Sequence, residues 1–179
     1  MTAATASQTA GPYWHMIDFP EWADLLRADG PNAGAAGERI ILRGTITDGT
    51  GAVVPDAMVE IWQADPDGRY DSTFHGFGRC ATDAEGRYRF VTLRPGPVAG
   101  PGNATQAPHV ALTIFARGLM RGLVTRAYFA GDPLLAEDPV LALVPEKRRS
   151  TLIARPAGEH EWILDIRLQG EGETVFLEV

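Results

Sequence analysis

Turn chemistry interrupts this chain at intervals too short for long helices. DGTG at 48–51 and DAEG at 83–86 each lie between runs of β-branched and aromatic residues, and 20 Gly and 13 Pro are spread over the 179 positions. Glycine supplies the backbone angles that tight turns need, and proline interrupts helices and central strands. What can form between such breaks is a series of short strands. Strand-like runs occur at 39–47 and 57–63, on either side of DAEG, from Pro108 to Ala116, at 123–129, at 160–170 and at 173–179. In the 160–170 run, Trp162, Leu164, Ile166 and Leu168 alternate with Ile163, Asp165 and Arg167, the period of a half-buried strand. The expected fold is an all-β sandwich of about eight short, mainly antiparallel strands with long loops. PEWADLLRADG (20–30) and VPEKRRSTLIA (144–154) are the two short helical candidates, each with proline near its start.

Composition narrows the function classes. Hydrophobic residues make up 45% of the chain, too many for a disordered segment. Sixteen basic residues against 23 acidic ones give a formal charge of −7, which argues against a nucleic-acid binder that must neutralise phosphates. Cys80 is the single cysteine, so an internal disulfide and a thiolate metal cluster are both excluded, and a reducing cytoplasm is the expected setting. The start lacks the basic and apolar segments of a signal peptide, and no apolar run reaches membrane-spanning length.

Residues 1–35 read as an arm with a short helix, and 36–179 as the β domain. The arm is small and polar except for PYWH at 12–15. Two aromatics and a histidine are poorly placed in water and point to docking against a partner. Two proline-rich connections, 93–108 and 130–145, are long for a compact domain, and their apolar residues imply packing.

The candidate chemistry begins with His109, at the start of the strand HVALTIF, where Ala111, Thr113 and Phe115 share its face. A lone histidine on a strand is more often a hydrogen-bonded core residue than a ligand, and a stable zinc or non-haem iron site needs at least three protein donors. His15, His75 and His160 form no obvious set with it. Tyr70, in DGRYDS, could add a phenolate, or be an ordinary turn-flanking aromatic. Arg126, in VTRAYF, either reaches solvent or binds a carboxylate through paired hydrogen bonds.

Taken together, VPDAMVEIWQADPDGRYD, RPGP, APHVALTIFARG, TRAYFAGD and IRLQGEGETVFLE resemble the intradiol ring-cleaving dioxygenases from about Ser7 to Val179. Iron-bearing members of that family hold Fe(III) with two tyrosines and two histidines. The resemblance matches Tyr70 to the first tyrosine and His109 to the first histidine. Val98, in PGPV, falls on the second tyrosine and Ala111 on the second histidine. It therefore implies a chain that has lost half its ligands and binds no metal itself. The implied partner is a sister β subunit that carries Fe(III) and cleaves a small aromatic substrate, protocatechuate. Within such a hetero-oligomer the resemblance assigns Thr9, Ala10, Gly11, Pro12 and Tyr13 of the arm, together with Arg126, to the edge of the substrate pocket. Nucleic acid and membrane are not expected partners.

Two rival readings stay open at this stage. One is a transthyretin-like or carboxypeptidase-accessory-like β-sandwich binding module, since hairpins such as TDAEGRYRF are common in that class. The other is a catalyst acting alone, with His75 or Tyr128 as substitute donors.

Overall fold

The computed structural model describes residues 19–178. These are mostly β, with a few short helices. The strands are β1 (Arg39–Thr47), β2 (Met58–Gln63), β3 (Phe77–Ala81), β4 (Arg87–Leu93), β5 (Val98–Ala99), β6 (Thr105–Gln106), β7 (His109–Phe115), β8 (Leu123–Phe129), β9 (Ile153–Gly158), β10 (Glu161–Ile163) and β11 (Ile166–Arg167). Nine of them form one mixed, nearly closed sheet in the order β11-β1-β10-β9-β8-β7-β2-β3, with β4 also paired to β1. β5 and β6 form a separate small hairpin. No helix among the described residues is long and apolar enough to cross a membrane.

Alternation along each strand decides which face is buried. On β7, Val110, Leu112 and Ile114 point into the main core, and on β8 Ala127 and Phe129 do the same. They meet Ile40, Leu42 and Ile46 of β1, Val59 and Ile61 of β2 and Phe90 of β4, all at 1% exposure or less. Burial of each large apolar side chain contributes about 1.5–3 kcal/mol. The opposite face of β7 and β8 carries His109, Ala111, Arg126 and Tyr128. A second cluster of Ala107, Tyr128, Leu141, Val144 and Leu152 covers one end of that face, and the 130–145 connection supplies part of it. Its apolar residues do pack, as expected.

β1, β3, β7 and β8 fall where the sequence predicts them, but the sheet is less antiparallel than expected. β10 and β11 both run parallel to β1, and β9 runs parallel to β8. The single strand expected over 160–170 is broken after Ile163. There the amide of Thr45 donates to the Asp165 carboxylate, and the Leu164 carbonyl accepts from the Tyr88 hydroxyl. The Leu164 amide still donates to the Arg43 carbonyl, while side chains take the place of the other ladder partners. The helix expected over 20–30 is a single 3₁₀ turn, Pro20–Ala23. Leu25 donates its amide to the Val91 carbonyl and is buried, so tertiary pairing overrides helical propensity. The 144–154 segment keeps one α-helical turn, α1 (Glu146–Arg149), and a 3₁₀ turn before Ile153 enters β9. The closing 173–178 residues form one β-bridge, Leu177 to Val124, and no strand, with Thr174 and Val175 also hydrogen-bonded to Arg167 and Thr125.

Two loops that frame the outer face of β7 interlock through glycine. In the loop after β2, Asp65 accepts from the amides of Asp67 and Arg69 and closes a tight turn. Gly68 in that turn has φ +81°, and a Cβ there would lie 1.8 Å from the Pro97 carbonyl oxygen. The facing Gly96 donates its amide to the Asp65 carbonyl at 2.9 Å, and a Cβ on it would lie 2.4 Å from the Pro66 carbonyl. Backbone therefore meets backbone, which fixes Tyr70 and Val98 relative to each other. Gly68→Ala is expected to destabilise the fold by at least about 1–3 kcal/mol, since backbone strain is joined there by the clash with the Pro97 carbonyl, read as a lower denaturation midpoint; Gly102→Ala shares the positive φ but has open space around it and should cost less.

Candidate functional site

Cross-strand register assembles the site. His109 on β7 stands opposite Tyr128 on β8, and Ala111 stands opposite Arg126. On its other side Ala111 faces Trp62 of β2. A row of Trp62, Ala111 and Arg126 therefore crosses three strands, with His109 and Tyr128 beside it. Tyr70 completes the wall by stacking on Trp62, with ring centroids 5.9 Å apart and planes 14° from parallel. Val98 pairs with Gln106 in the small hairpin, and Gln106 reaches back to Arg126. The sequence-predicted residues Tyr70, Val98, His109, Ala111 and Arg126 thus share one neighbourhood. The arm residues Thr9, Ala10, Gly11, Pro12 and Tyr13, and His15 with them, lie outside the described residues.

His109 is 4% exposed, and its Nδ1 lies 2.8 Å from the Ala107 carbonyl oxygen. A carbonyl only accepts, so Nδ1 carries the proton and Nε2 keeps its lone pair. That is the orientation a metal-bound histidine needs. Burial is the main cause that lowers the pKa of His109 to about 4, and the Arg126 guanidinium adds to it. Burial raises the Tyr70 phenol above its ordinary value, and Arg126 partly offsets that shift. One cation therefore acts on both Tyr70 and His109.

Arg126 is held from within. Its Nη1 donates to Gln106 Oε1 at 2.7 Å and to the Tyr128 hydroxyl oxygen at 3.2 Å. The Tyr128 hydroxyl in turn donates to Asp138 Oδ1 at 3.0 Å. Asp138 is fully buried and also accepts from the amides of Ala107, Val140 and Leu141. Burial, the largest cause, raises the Tyr128 phenol well above its ordinary range, so the hydroxyl stays protonated as the link between Arg126 and Asp138.

These residues do not fit a ferric ion. Tyr70 and His109 offer two donors, while Val98 and Ala111 offer none, and a fixed guanidinium acts on both donors. Two protein ligands on separate elements hold ferric iron poorly. Among the described residues, His75 and His160 do not make up the deficit. His75 has its backbone pinned by Asn32, and His160 pairs with Glu38 at the β9–β10 turn. Among the described residues no cluster of three or more His, Cys, Asp or Glu could hold a metal.

Comparison with known proteins identifies the family behind this partial constellation. The family profile described as Dioxygenase (Dioxygenase_C) matches residues 10–170. The protocatechuate 3,4-dioxygenase alpha chain of Pseudomonas putida is 39% identical, covering 97% of this chain and 96% of its own length. The chain belongs to the intradiol ring-cleavage dioxygenase family. The protocatechuate 3,4-dioxygenase beta chain of Burkholderia cepacia is also similar, at 42% identity over 74% of this chain and 62% of its own length. Among solved structures, catechol 1,2-dioxygenase from Pseudomonas arvilla C-1 superposes with a TM-score of 0.64 at 26% identity, covering 82% of this chain and 55% of that one.

Three residues of this intradiol-family site escape sequence reasoning. Trp62 is apolar in an alternating strand, and its position gives no sign that Tyr70 stacks on it. Gln106 and Asp138 lie in the two proline-rich connections, far along the chain from the side chains they fix. The one available signal was the length of those connections.

The depressed pKa of His109 makes a pH prediction with a definite sign. In the unfolded chain the histidine binds its proton near pH 6.5; in the folded chain it does so near 4. The unfolded state therefore binds more protons between those values, and folding stability falls as pH drops from 6.5 towards 4, by about 3 kcal/mol in all. NMR titration of the His109 ring is expected to give a pKa near 4, moving upward in Arg126→Gln. An unshifted value near 6.5 would contradict the geometry.

Proposed function

We propose that this chain is the iron-free α subunit of a protocatechuate 3,4-dioxygenase, working beside a β subunit that carries Fe(III). The carrying observation is the donor set. A chain alike over its length to an α chain keeps Tyr70 and His109 but has valine and alanine where two further ligands are needed. The assembled enzyme would cleave 3,4-dihydroxybenzoate between its hydroxyl-bearing carbons with O2, giving 3-carboxy-cis,cis-muconate. The partner's iron supplies the activation of the catecholate for reaction with O2.

This chain's own contribution is position and charge. The β domain, 36–179, is read as a two-layer sandwich that carries the interface. The arm, 1–35, docks on the partner and brings Thr9, Ala10, Gly11, Pro12 and Tyr13 to the substrate pocket. Glycine permits close backbone approach there, and proline limits the cost of ordering the segment. Arg126 faces the substrate carboxylate, and its tether through Gln106 and Tyr128 means little side-chain freedom is lost on binding. A single buried cysteine suits a cytoplasmic location. A transthyretin-like module explains neither the retained ligand pair nor similarity to dioxygenase subunits across the chain.

In the αβ enzyme, Arg126→Ala is expected to lower kcat/KM for protocatechuate roughly ten- to hundredfold, the effect of a lost charge-assisted hydrogen bond worth on the order of 1.5–3 kcal/mol. Catechol, which lacks the carboxylate, should be turned over nearly as before. Equal losses on both substrates would assign Arg126 to structural support.

A further inference from the structure

We infer that the residues just before Phe19, Trp14 and Met16 above all, pack on an aromatic belt across the outer face of β2 and β3 of this same chain, and so root the arm. The contact involves this chain alone and goes beyond the reading above, in which the tip of the arm, Thr9 to Tyr13, meets the partner subunit.

Strand register builds the belt. Val59, Ile61 and Gln63 are buried, so Glu60 and Trp62 point outward from β2; Gly78 and Cys80 are buried, so Phe77 and Arg79 point outward from β3. Phe77 stands directly opposite Trp62, and Arg79 opposite Glu60. Trp62 stacks with Tyr70, Phe77 meets Trp22 edge-on at 5.9 Å, and Trp22 lies 4.7 Å from Phe19. Five rings therefore follow one another: Tyr70, Trp62, Phe77, Trp22 and Phe19. Phe77 is 38%, Phe19 40%, Tyr70 45% and Trp62 48% exposed. The other exposed large hydrophobics among the described residues are Val53, Met120 and Leu143, each isolated in sequence. Scattered apolar residues are ordinary on a surface, whereas a contiguous row marks a contact.

The described chain begins on this belt. β3 is the last strand of its sheet, and Gly78 lets the 22–25 segment close onto it: a Cβ there would lie 2.6 Å from Leu25 Cδ1 and 3.0 Å from the Trp22 carbonyl oxygen. Phe19 is thereby set beside Trp22. Residues 14–18 read WHMID, whereas the stretch from Thr2 to Pro12 holds no large apolar side chain. The apolar part of the arm is thus the part nearest the belt. On an extended segment Trp14 and Met16 share one face, and methionine sulfur makes favourable contacts with aromatic rings. Five residues reach up to about 17 Å, far enough from Phe19 to pass Trp22 and Phe77 and meet Trp62. So short a tether keeps the entropy cost of closure small. With the root held there, the tip of the arm starts its reach from the Trp62–Tyr70 end of the belt.

The four tryptophans make the test direct: Trp14 is in the arm, Trp22 and Trp62 are on the belt, and Trp162 packs edge-on against Phe129 of the main core. Fluorine NMR of the full chain labelled with 5-fluorotryptophan, without any partner, reads all four, with signals assigned from Trp22→Phe, Trp62→Phe and Trp162→Phe. In the double variant Trp14→Ser, Met16→Ser, the Trp22 and Trp62 signals are expected to shift and to lose protection from a dissolved paramagnetic agent. The Trp162 signal should stay in place, which shows that the sheet is folded. Trp14 is expected to be protected in the unmodified chain and to lose that protection in Phe77→Ser. Unchanged Trp22 and Trp62 signals in the double variant, or a Trp14 as accessible as free tryptophan, would overturn the proposal. So would protection that appears only as chain concentration rises, since a second copy would then cover the belt. Because no partner subunit is present, these outcomes are independent of whether the αβ enzyme assembles and turns over protocatechuate.

Discussion

The carboxylate of Asp138 is the point at which three parts of the outer face meet. It accepts hydrogen bonds from the Tyr128 hydroxyl on β8, from the amide of Ala107 just before β7, and from the amides of Val140 and Leu141 in the long loop. A fully buried carboxylate is tolerable because each oxygen is met by donors. Tyr128 passes that restraint to Arg126, and the carbonyl of Ala107 orients His109. The direction of both functional side chains therefore traces to one acid in a loop. Removing it would leave buried amides unpaired as well as releasing the arginine.

On the reading proposed above, a metal-binding architecture persists around this hub with its chemistry changed. The interlocked loops at Gly68 and Gly96 still bring Tyr70 and position 98 to the start of β7, and His109 keeps the hydrogen bond that would aim Nε2 at a metal. What differs is the side chains at two points, valine and alanine, and the presence of a guanidinium among them. Framework and ligands are separable because backbone contacts set the loop geometry, while metal affinity depends on the donors carried. A subunit of this kind keeps the fold of an iron enzyme and lends position and charge to one.

Much of this was legible beforehand, and what was missed has physical causes. The strands around DGTG and DAEG, and the β7 and β8 strands, follow from alternation that tertiary context left undisturbed. The donors at Tyr70 and His109 and the gaps at Val98 and Ala111 came from motif resemblance; strand register, the stacking of Tyr70 on Trp62 and the small hairpin then place them in one neighbourhood. Propensity failed where long-range partners took over. Leu25 left a helical pattern to pair with Val91, and Asp165 replaced a ladder acceptor inside an otherwise regular strand. The parallel runs of β9, β10 and β11 depend on which distant edge each strand finds, which period-two alternation does not specify. Gln106 and Asp138 were invisible for a similar reason, since their value lies in what they touch across 20 and 10 residues.

Iron analysis of the full chain, purified without a partner and then offered iron, tests the central claim most directly. An iron-to-chain ratio far below one and a colourless solution are expected, because two donors beside a fixed guanidinium hold ferric iron poorly. Stoichiometric iron with a visible tyrosinate-to-iron band, lost in Tyr70→Phe, would contradict it and return the oxygen chemistry to this chain.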